Sequence, residues 1–228
     1  MLTLEKILFE RDGFSLTADC AMEAPGLVAV IGPSGGGKST LLSLIAGFDL
    51  PDSGRILWQG RDLKDDPPGK RPVAVLFQDH NLFPHLDVLT NVSLGADPSA
   101  RPSEESRARA RDALARIELE GFDARRPAEL SGGQQSRAAL ARILLTDRPI
   151  VLMDEAFSAL GPALRGEMLA LVQELLSDAL VLMVTHDPQD ALQRAPRTIF
   201  VEDGRVHPPK LTEALFADPP EGLSRYLA

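Results

Sequence analysis

The chain has one cysteine, Cys20, in 228 residues, so no intrachain disulfide forms and no cysteine spacing for zinc exists, which fits a reducing compartment. Basic residues are the scarcer charge. The 24 Lys and Arg stand against 33 Asp and Glu, for a net charge of −9. Nucleic-acid binding draws on clustered Lys and Arg that release counterions, so no nucleic-acid partner is expected. Also missing is any apolar run approaching the about 20 residues that cross a bilayer. The opening residues MLTLEKILFERDG carry charges where a signal peptide needs an apolar core. A cytoplasmic protein is expected, with any membrane role exercised through a partner. Internal repeats and low-complexity tracts are absent too. What is present is 44% hydrophobic residues, enough for a substantial core in one domain, or in one domain with a sizeable insertion.

The most informative stretch is GPSGGGKST, residues 32–40. Gly32, Gly37, Lys38 and Ser39 stand at P-loop spacing, with Pro33, Ser34, Gly35, Gly36 and Thr40 completing the run. An apolar segment, 27–31, reads as the buried strand that delivers the loop, and STLLSLIAGF from Ser39 onward reads as the helix that leaves it. That context surrounds a polyphosphate with backbone N–H groups at a positive helix end. Glycines 35–37 admit the phosphates without a Cβ in the way. Lys38 is placed for the β- and γ-phosphates and the Ser39 hydroxyl for Mg²⁺, so ATP and Mg²⁺ are the expected ligands.

Residues 2–9 and 14–22 read as two strands joined by the turn Arg11, Asp12, Gly13. Phe9 is the first candidate to stack on a nucleotide base and Phe14 the second; either is also an ordinary core aromatic. Residues 73–77 form a compact apolar strand that ends at Gln78, whose amide is carried toward the nucleotide face. From 79 to 145 strand signals give way to helical periodicity. Ser103 is a plausible N-cap for a helix reaching about Ile117, and its arginines lie among acidic residues as on a solvated face. Within this helical stretch comes LSGGQ, residues 130–134. Ser131 is placed as an N-cap, and Gly132, Gly133 and Gln134 open a helix whose start suits an anion. Two phosphate-type sites in one chain suggest that a second copy completes the pocket.

Residues 150–153 form a buried strand ending in Asp154 and Glu155. In a P-loop fold a carboxylate at this strand end serves the metal, and the next one orients or deprotonates the attacking water. Residues 180–185 form another strand, and His186 at its carboxyl end faces the ligand crevice. Residues 197–202 and 205–207 read as a closing hairpin, and 211–216 as a short final helix.

GPSGGGKST, Gln78, LSGGQ, the IVLMDE strand and His186, in this order and at these intervals, resemble the ATP-binding subunits of ABC transporters over nearly the whole chain. The resemblance implies an α/β P-loop NTPase fold of the ABC ATPase type: a mixed core sheet, an N-terminal antiparallel β-subdomain and a helical subdomain. The core would span about 1–78 and 146–228, and the helical insertion about 79–145. It further implies that two copies pack head to tail, each ATP lying between one P-loop and the other copy's LSGGQ. Hydrolysis would then drive an integral membrane permease at the cytoplasmic face of the inner membrane, fed by a substrate-binding protein. Catalytic roles are implied for Glu155, His186 and Gln78, and metal contacts for Ser39, Gln78 and Asp154. LFQDHNLFPHL (76–86), NVSLG (91–95) and EAFSALGPALRGEMLALV (155–172) are most similar to the ATPases of thiamine importers, followed by those of ferric-iron and polyamine importers. No regulatory domain is expected after the last helix.

Three departures from the family pattern stand out. Ala156 replaces the proline that usually follows the catalytic glutamate, Gly161 replaces the aspartate of SALD, and Gln135, Ser136 and Arg137 replace RQR. The second removes a carboxylate that the resemblance implies reaches across the dimer. Two other classes compete: a soluble ABC-type ATPase acting on nucleic acid or ribosomes, which would ordinarily carry two cassettes or a coiled coil, and a P-loop kinase, which leaves LSGGQ unexplained.

Overall fold

The computed structural model of the chain describes residues 1–79, 81–99 and 101–227. In chain order its elements begin with β1 (Leu2–Arg11), β2 (Phe14–Met22), β3 (Gly26–Ile31), α1 (Lys38–Ala46), β4 (Ser53–Trp58), β5 (Arg61–Asp62), β6 (Val73–Phe77), α2 (Val88–Ser93) and α3 (Glu104–Arg116). They continue with α4 (Gly132–Leu145), β7 (Ile150–Asp154), α5 (Pro162–Leu175), β8 (Leu180–Val184), α6 (Pro188–Arg194), β9 (Arg197–Glu202), β10 (Arg205–Val206), β11 (Lys210–Leu211), α7 (Thr212–Ala217) and α8 (Glu221–Leu227). The final helix is an addition to the sequence reading, which ended at 216.

The residues divide into two compact units. The first comprises Met1–Val73, Pro149–Asp154 and Asp178–Ala228; the second comprises Ala74–Arg148 and Glu155–Ser177. The helical unit therefore includes α5 as well as the expected 79–145 stretch.

In the first unit the strands run in the order β5-β4-β1-β2-β10-β9-β3-β8-β7. The pairs β9/β3, β3/β8 and β8/β7 are parallel, whereas β1/β2 and β1/β4 are antiparallel. Buried parallel strands read as unbroken apolar runs, and the side chains of β8 are all buried (Leu180–Val184). The register sets Gly26 and Ile150 opposite Leu180, and Val184 opposite Asp154, so the carboxyl ends of β3, β8 and β7 lie level along one edge. Ligands in open α/β sheets bind at that edge. The short β10 joins the two halves by pairing parallel to β2 and antiparallel to β9.

Behind the helix that leaves the P-loop lies a buried cation. Arg71 is 1% exposed; its Nη1 donates to the carbonyls of Leu44 (2.7 Å) and Ile45 (3.0 Å), and its Nε to the carbonyl of Asp66 (3.0 Å). A cation at a helix C-terminus satisfies orphan carbonyls and opposes the negative end of the dipole. Burial pulls its pKa below the ordinary arginine value, opposed by the nearby charges of Asp66 and Asp62.

The second unit packs α2, α3 and α4 around Val88, Leu89, Val92, Leu114 and small residues such as Ala110 and Ala138. Ser103 caps α3 as the sequence suggests, accepting from the Ser106 N–H at 3.2 Å. Fully buried Asn91 accepts from the N–H of Phe83 (2.7 Å) and donates to the carbonyls of Phe83 (3.0 Å) and Asp87 (3.0 Å). Arg142 donates to the Asn81 carbonyl at 2.6 Å. These side chains pin the irregular segment that follows Gln78.

Replacing Arg71 by Met keeps the bulk and removes the donors, stranding the Ile45 and Asp66 carbonyls while Leu44 retains the Gly47 N–H at 3.2 Å. Stranded buried acceptors cost roughly 1–3 kcal/mol each, so Arg71→Met is expected to lose about 2–4 kcal/mol in urea unfolding.

Candidate nucleotide-binding site

The site in the first unit starts from backbone packing. Gly32 has φ +147°, and a Cβ built on it would overlap the carbonyl oxygen of Val201 on β9; one on Gly36 would lie 3.0 Å from the same oxygen. Beside it the Gly204 N–H donates to the Gly36 carbonyl at 3.1 Å. The loop therefore lies on the turn between β9 and β10 with no side chain between them. Only glycine fits Gly32.

α1 begins at Lys38 with Gly37 as its N-cap, and Gly37 supplies no side-chain cap. Lys38 is 8% exposed and donates from Nζ to the carbonyls of Gly32 (2.8 Å) and Pro33 (2.9 Å). The ammonium is thus held over its own loop, where phosphate oxygens are stronger acceptors than carbonyls. Ser39 Oγ donates to Asp154 Oδ1 at 3.2 Å, bringing together two residues 115 apart in sequence. Paired oxygens of this type suit Mg²⁺, which takes one or two protein ligands together with phosphate oxygens and water. Among the described residues there is no group of three or more His, Cys, Asp or Glu that could hold a metal ion.

His186 follows β8 with its side chain exposed, and the Thr185 N–H before it donates to the Val30 carbonyl of β3 at 3.3 Å. After it, Asp187 caps α6 by accepting from the Gln189 N–H at 2.9 Å. Glu155, which opens the second segment of the helical unit, is partly buried and has φ +48°. A left-handed non-glycine residue costs on the order of 1 kcal/mol or more, and such strain concentrates at functional positions. It turns the chain sharply just beyond the Asp154 strand end.

One expectation needs correction. Phe9 is 5% exposed in the core, with the Arg11 guanidinium 5.1 Å from its ring centre, and has almost no face to offer a base. Phe14 is partly exposed, and its Cζ lies 3.1 Å from where a Gly37 Cβ would be. Phe14 is the aromatic beside the P-loop. The side chains of β1 alternate between faces, and Phe9 turns inward with Ile7.

In the helical unit Gln78 is exposed just after β6. Ser131 caps α4 in a reciprocal box: its Oγ accepts from the Gln134 N–H (3.3 Å), and its own N–H donates to Gln134 Oε1 (3.0 Å). Gly133 packs closely on α5, since a Cβ there would come within 2.6 Å of a Leu164 methyl, which would have to shift. Gln135 ties the helix start to the preceding turn by donating to the Pro127 carbonyl at 3.0 Å, and Arg137 pairs with Glu118 at 2.6 Å.

Residues 17–158 match the family model described as ABC transporter. The chain belongs to the ABC transporter family. It is 57% identical to the thiamine import ATP-binding protein ThiQ of Cereibacter sphaeroides, covering 100% of this chain and 99% of that protein. It is 51% identical to the ThiQ protein of a Ruegeria species at the same coverage. Among solved structures, the ABC transporter cassette MJ0796, solved as a dimer, is 30% identical with a TM-score of 0.77 over 93% of this chain and 99% of that one. The cbiO1 protein of Clostridium perfringens, part of the complex cbiONQ, is 27% identical with a TM-score of 0.84 over 99% of this chain and 93% of that one. The ABC ATPase fold expected from the motifs is the fold found.

Two of the departures from this family's pattern lie in the segment between β7 and α5. Gly161 is the N-cap of α5 with ordinary φ −63°, and nothing lies within 4 Å of a Cβ there. Ala156 is buried at 4% exposure in the turn that Glu155 begins. Gly161→Asp is therefore expected to fold with parent stability or gain a few tenths of a kcal/mol from capping. Gly133→Ala, by contrast, is expected to lose about 1–3 kcal/mol by overpacking against Leu164. Urea unfolding of the two variants side by side checks both.

Proposed function

We propose that this chain is the ATP-binding and ATP-hydrolysing subunit of an ABC importer for thiamine or its phosphates. The observation that carries this reading is full-length 57% identity to a thiamine import ATP-binding protein in a chain whose P-loop packing and Ser39–Asp154 pair suit a magnesium-bound nucleoside triphosphate. No helix of the described residues is long and apolar enough to cross a membrane. The subunit accordingly works at the cytoplasmic face of the inner membrane against a separate permease, to which a substrate-binding protein brings the cargo.

In this reading the residues divide the work. The P-loop amides of 34–40 and the Lys38 ammonium hold the phosphates, and Phe14 stacks on the base. Ser39 and Asp154, with Gln78, are the residues that would hold Mg²⁺, and the ion would supply positive charge against the phosphates. Glu155 accepts the proton of the attacking water, and His186 contacts the γ-phosphate. Ser131, Gly132, Gly133 and Gln134 bind the ATP of a second copy. In the capping box Ser131 Oγ accepts from the Gln134 N–H and keeps its own O–H to donate to a phosphate oxygen, so the cap and the ligand role are compatible. A homodimer with ATP at its interface follows.

Glu155→Gln separates binding from chemistry, because the amide keeps the shape and cannot accept a proton. Turnover is expected to fall about 10²- to 10⁴-fold while ATP affinity persists, so that the variant accumulates as a dimer with ATP and Mg²⁺ on size-exclusion chromatography. Monomer with parent turnover would refute both the base and the sandwich.

The substrate is tested in cells. Deleting the gene should abolish uptake of labelled thiamine, the parent chain should restore it, and Lys38→Ala should not. Unchanged thiamine uptake in the deletion strain would assign the ATPase to another cargo.

A further inference from the structure

The chain's one tyrosine lies on its last helix, far in sequence from every motif described above. Tyr226 Oη donates a 3.0 Å hydrogen bond to the backbone carbonyl of His186, across 40 residues. We propose that Tyr226 is a positioning residue for His186, holding the peptide that carries the imidazole so that the ring meets the γ-phosphate. The proposal rests on the reading of His186 as the γ-phosphate contact.

The geometry around His186 supports it. The residues on either side are held by the loop itself: the Asp187 N–H donates to Thr185 Oγ1 (3.1 Å), Thr185 Oγ1 donates to Asp190 Oδ2 (2.8 Å), and the Thr185 N–H reaches Val30 of β3. The carbonyl of His186 is tied instead to α8. Displacement of the His186 main chain would carry the exposed imidazole with it, and the hydrogen bond from Tyr226 to the His186 carbonyl opposes that displacement.

α8 is itself well seated. Leu223 is fully buried, and Gly222 approaches the Glu202 carboxylate so closely that a Cβ would overlap its Oε2. The Ser224 N–H donates to the Pro220 carbonyl at 2.9 Å. Glu202 is the last residue of β9, immediately before the turn whose Gly204 N–H holds the P-loop at Gly36. One short helix thus touches the strand end that backs the P-loop and the loop that carries His186. It acts as a strut between the two phosphate-facing segments of this unit.

The test uses the full chain with Tyr226→Phe, which removes only the hydroxyl, Tyr226→Ala, which removes the ring as well, and His186→Ala. A group that orients a reacting contact is felt in kcat, and small misplacements are costly, so Tyr226→Phe is expected to lower kcat about tenfold. KM for ATP and the urea midpoint should stay at parent values, and Tyr226→Ala should lose at least as much kcat. Parent kcat in Tyr226→Phe with a loss in His186→Ala overturns this proposal alone. A fall in kcat that tracks a lowered urea midpoint also overturns it, because the bond would then be structural. Parent kcat in His186→Ala overturns the reading of the histidine and this proposal together.

Discussion

The P-loop of this protein is held by main chain against main chain: the Val201 carbonyl sits against Gly32 and Gly36, and the Gly204 N–H bonds the Gly36 carbonyl. The Gly204 carbonyl in turn accepts from the Thr17 N–H at 2.7 Å, so the contact continues into β2. The Lys38 ammonium adds two bonds from within the loop, to the carbonyls of Gly32 and Pro33. Preorganisation of this kind spares the reorganisation cost at the moment of binding and reaction. It also explains why the closing strands matter to function: β9 and β10 bind no ligand, yet they form the floor on which the loop rests.

The two units solve different physical problems. In the first, parallel strands with apolar residues on both faces leave the carboxyl edge as the natural place for Asp154, His186 and the P-loop. Side chains there are free to be polar because the strands behind them supply the burial. In the helical unit, small residues bring α3, α4 and α5 close, and polar side chains hold the irregular segments. Asn91 binds the 83–87 segment, Gln135 secures the start of α4, and Gly133 makes room for Leu164. The LSGGQ serine and glutamine cap their own helix, so the start of α4 is well formed within a single chain.

The departures at Ala156 and Gly161 take on meaning in the same terms. Glu155 adopts a left-handed conformation, and a small residue follows it where the turn is buried. Gly161 caps α5 with ordinary backbone angles, so its glycine is not demanded by conformation. A side chain at this position would meet open space, so the fold does not require its absence.

Much of this was legible in the residues themselves. P-loop spacing after an apolar run, LSGGQ before a helical face, and two carboxylates at a strand end are local patterns, and local backbone physics gives them one structural meaning each. Which aromatic lies beside the P-loop was not, because Phe9 and Phe14 are equally apolar and strand packing decides which ring is buried. Arg71 at the end of α1, Val201 beneath the P-loop, Leu164 over Gly133 and Tyr226 at His186 were also invisible. Each joins residues more than twenty apart in sequence through a contact with no motif of its own. The sequence by itself determined the family and the ATP-binding loop that goes with it, since these depend on which groups a short stretch presents. Only the tertiary structure decided what holds those groups still, since that depends on which distant backbone comes within hydrogen-bond reach.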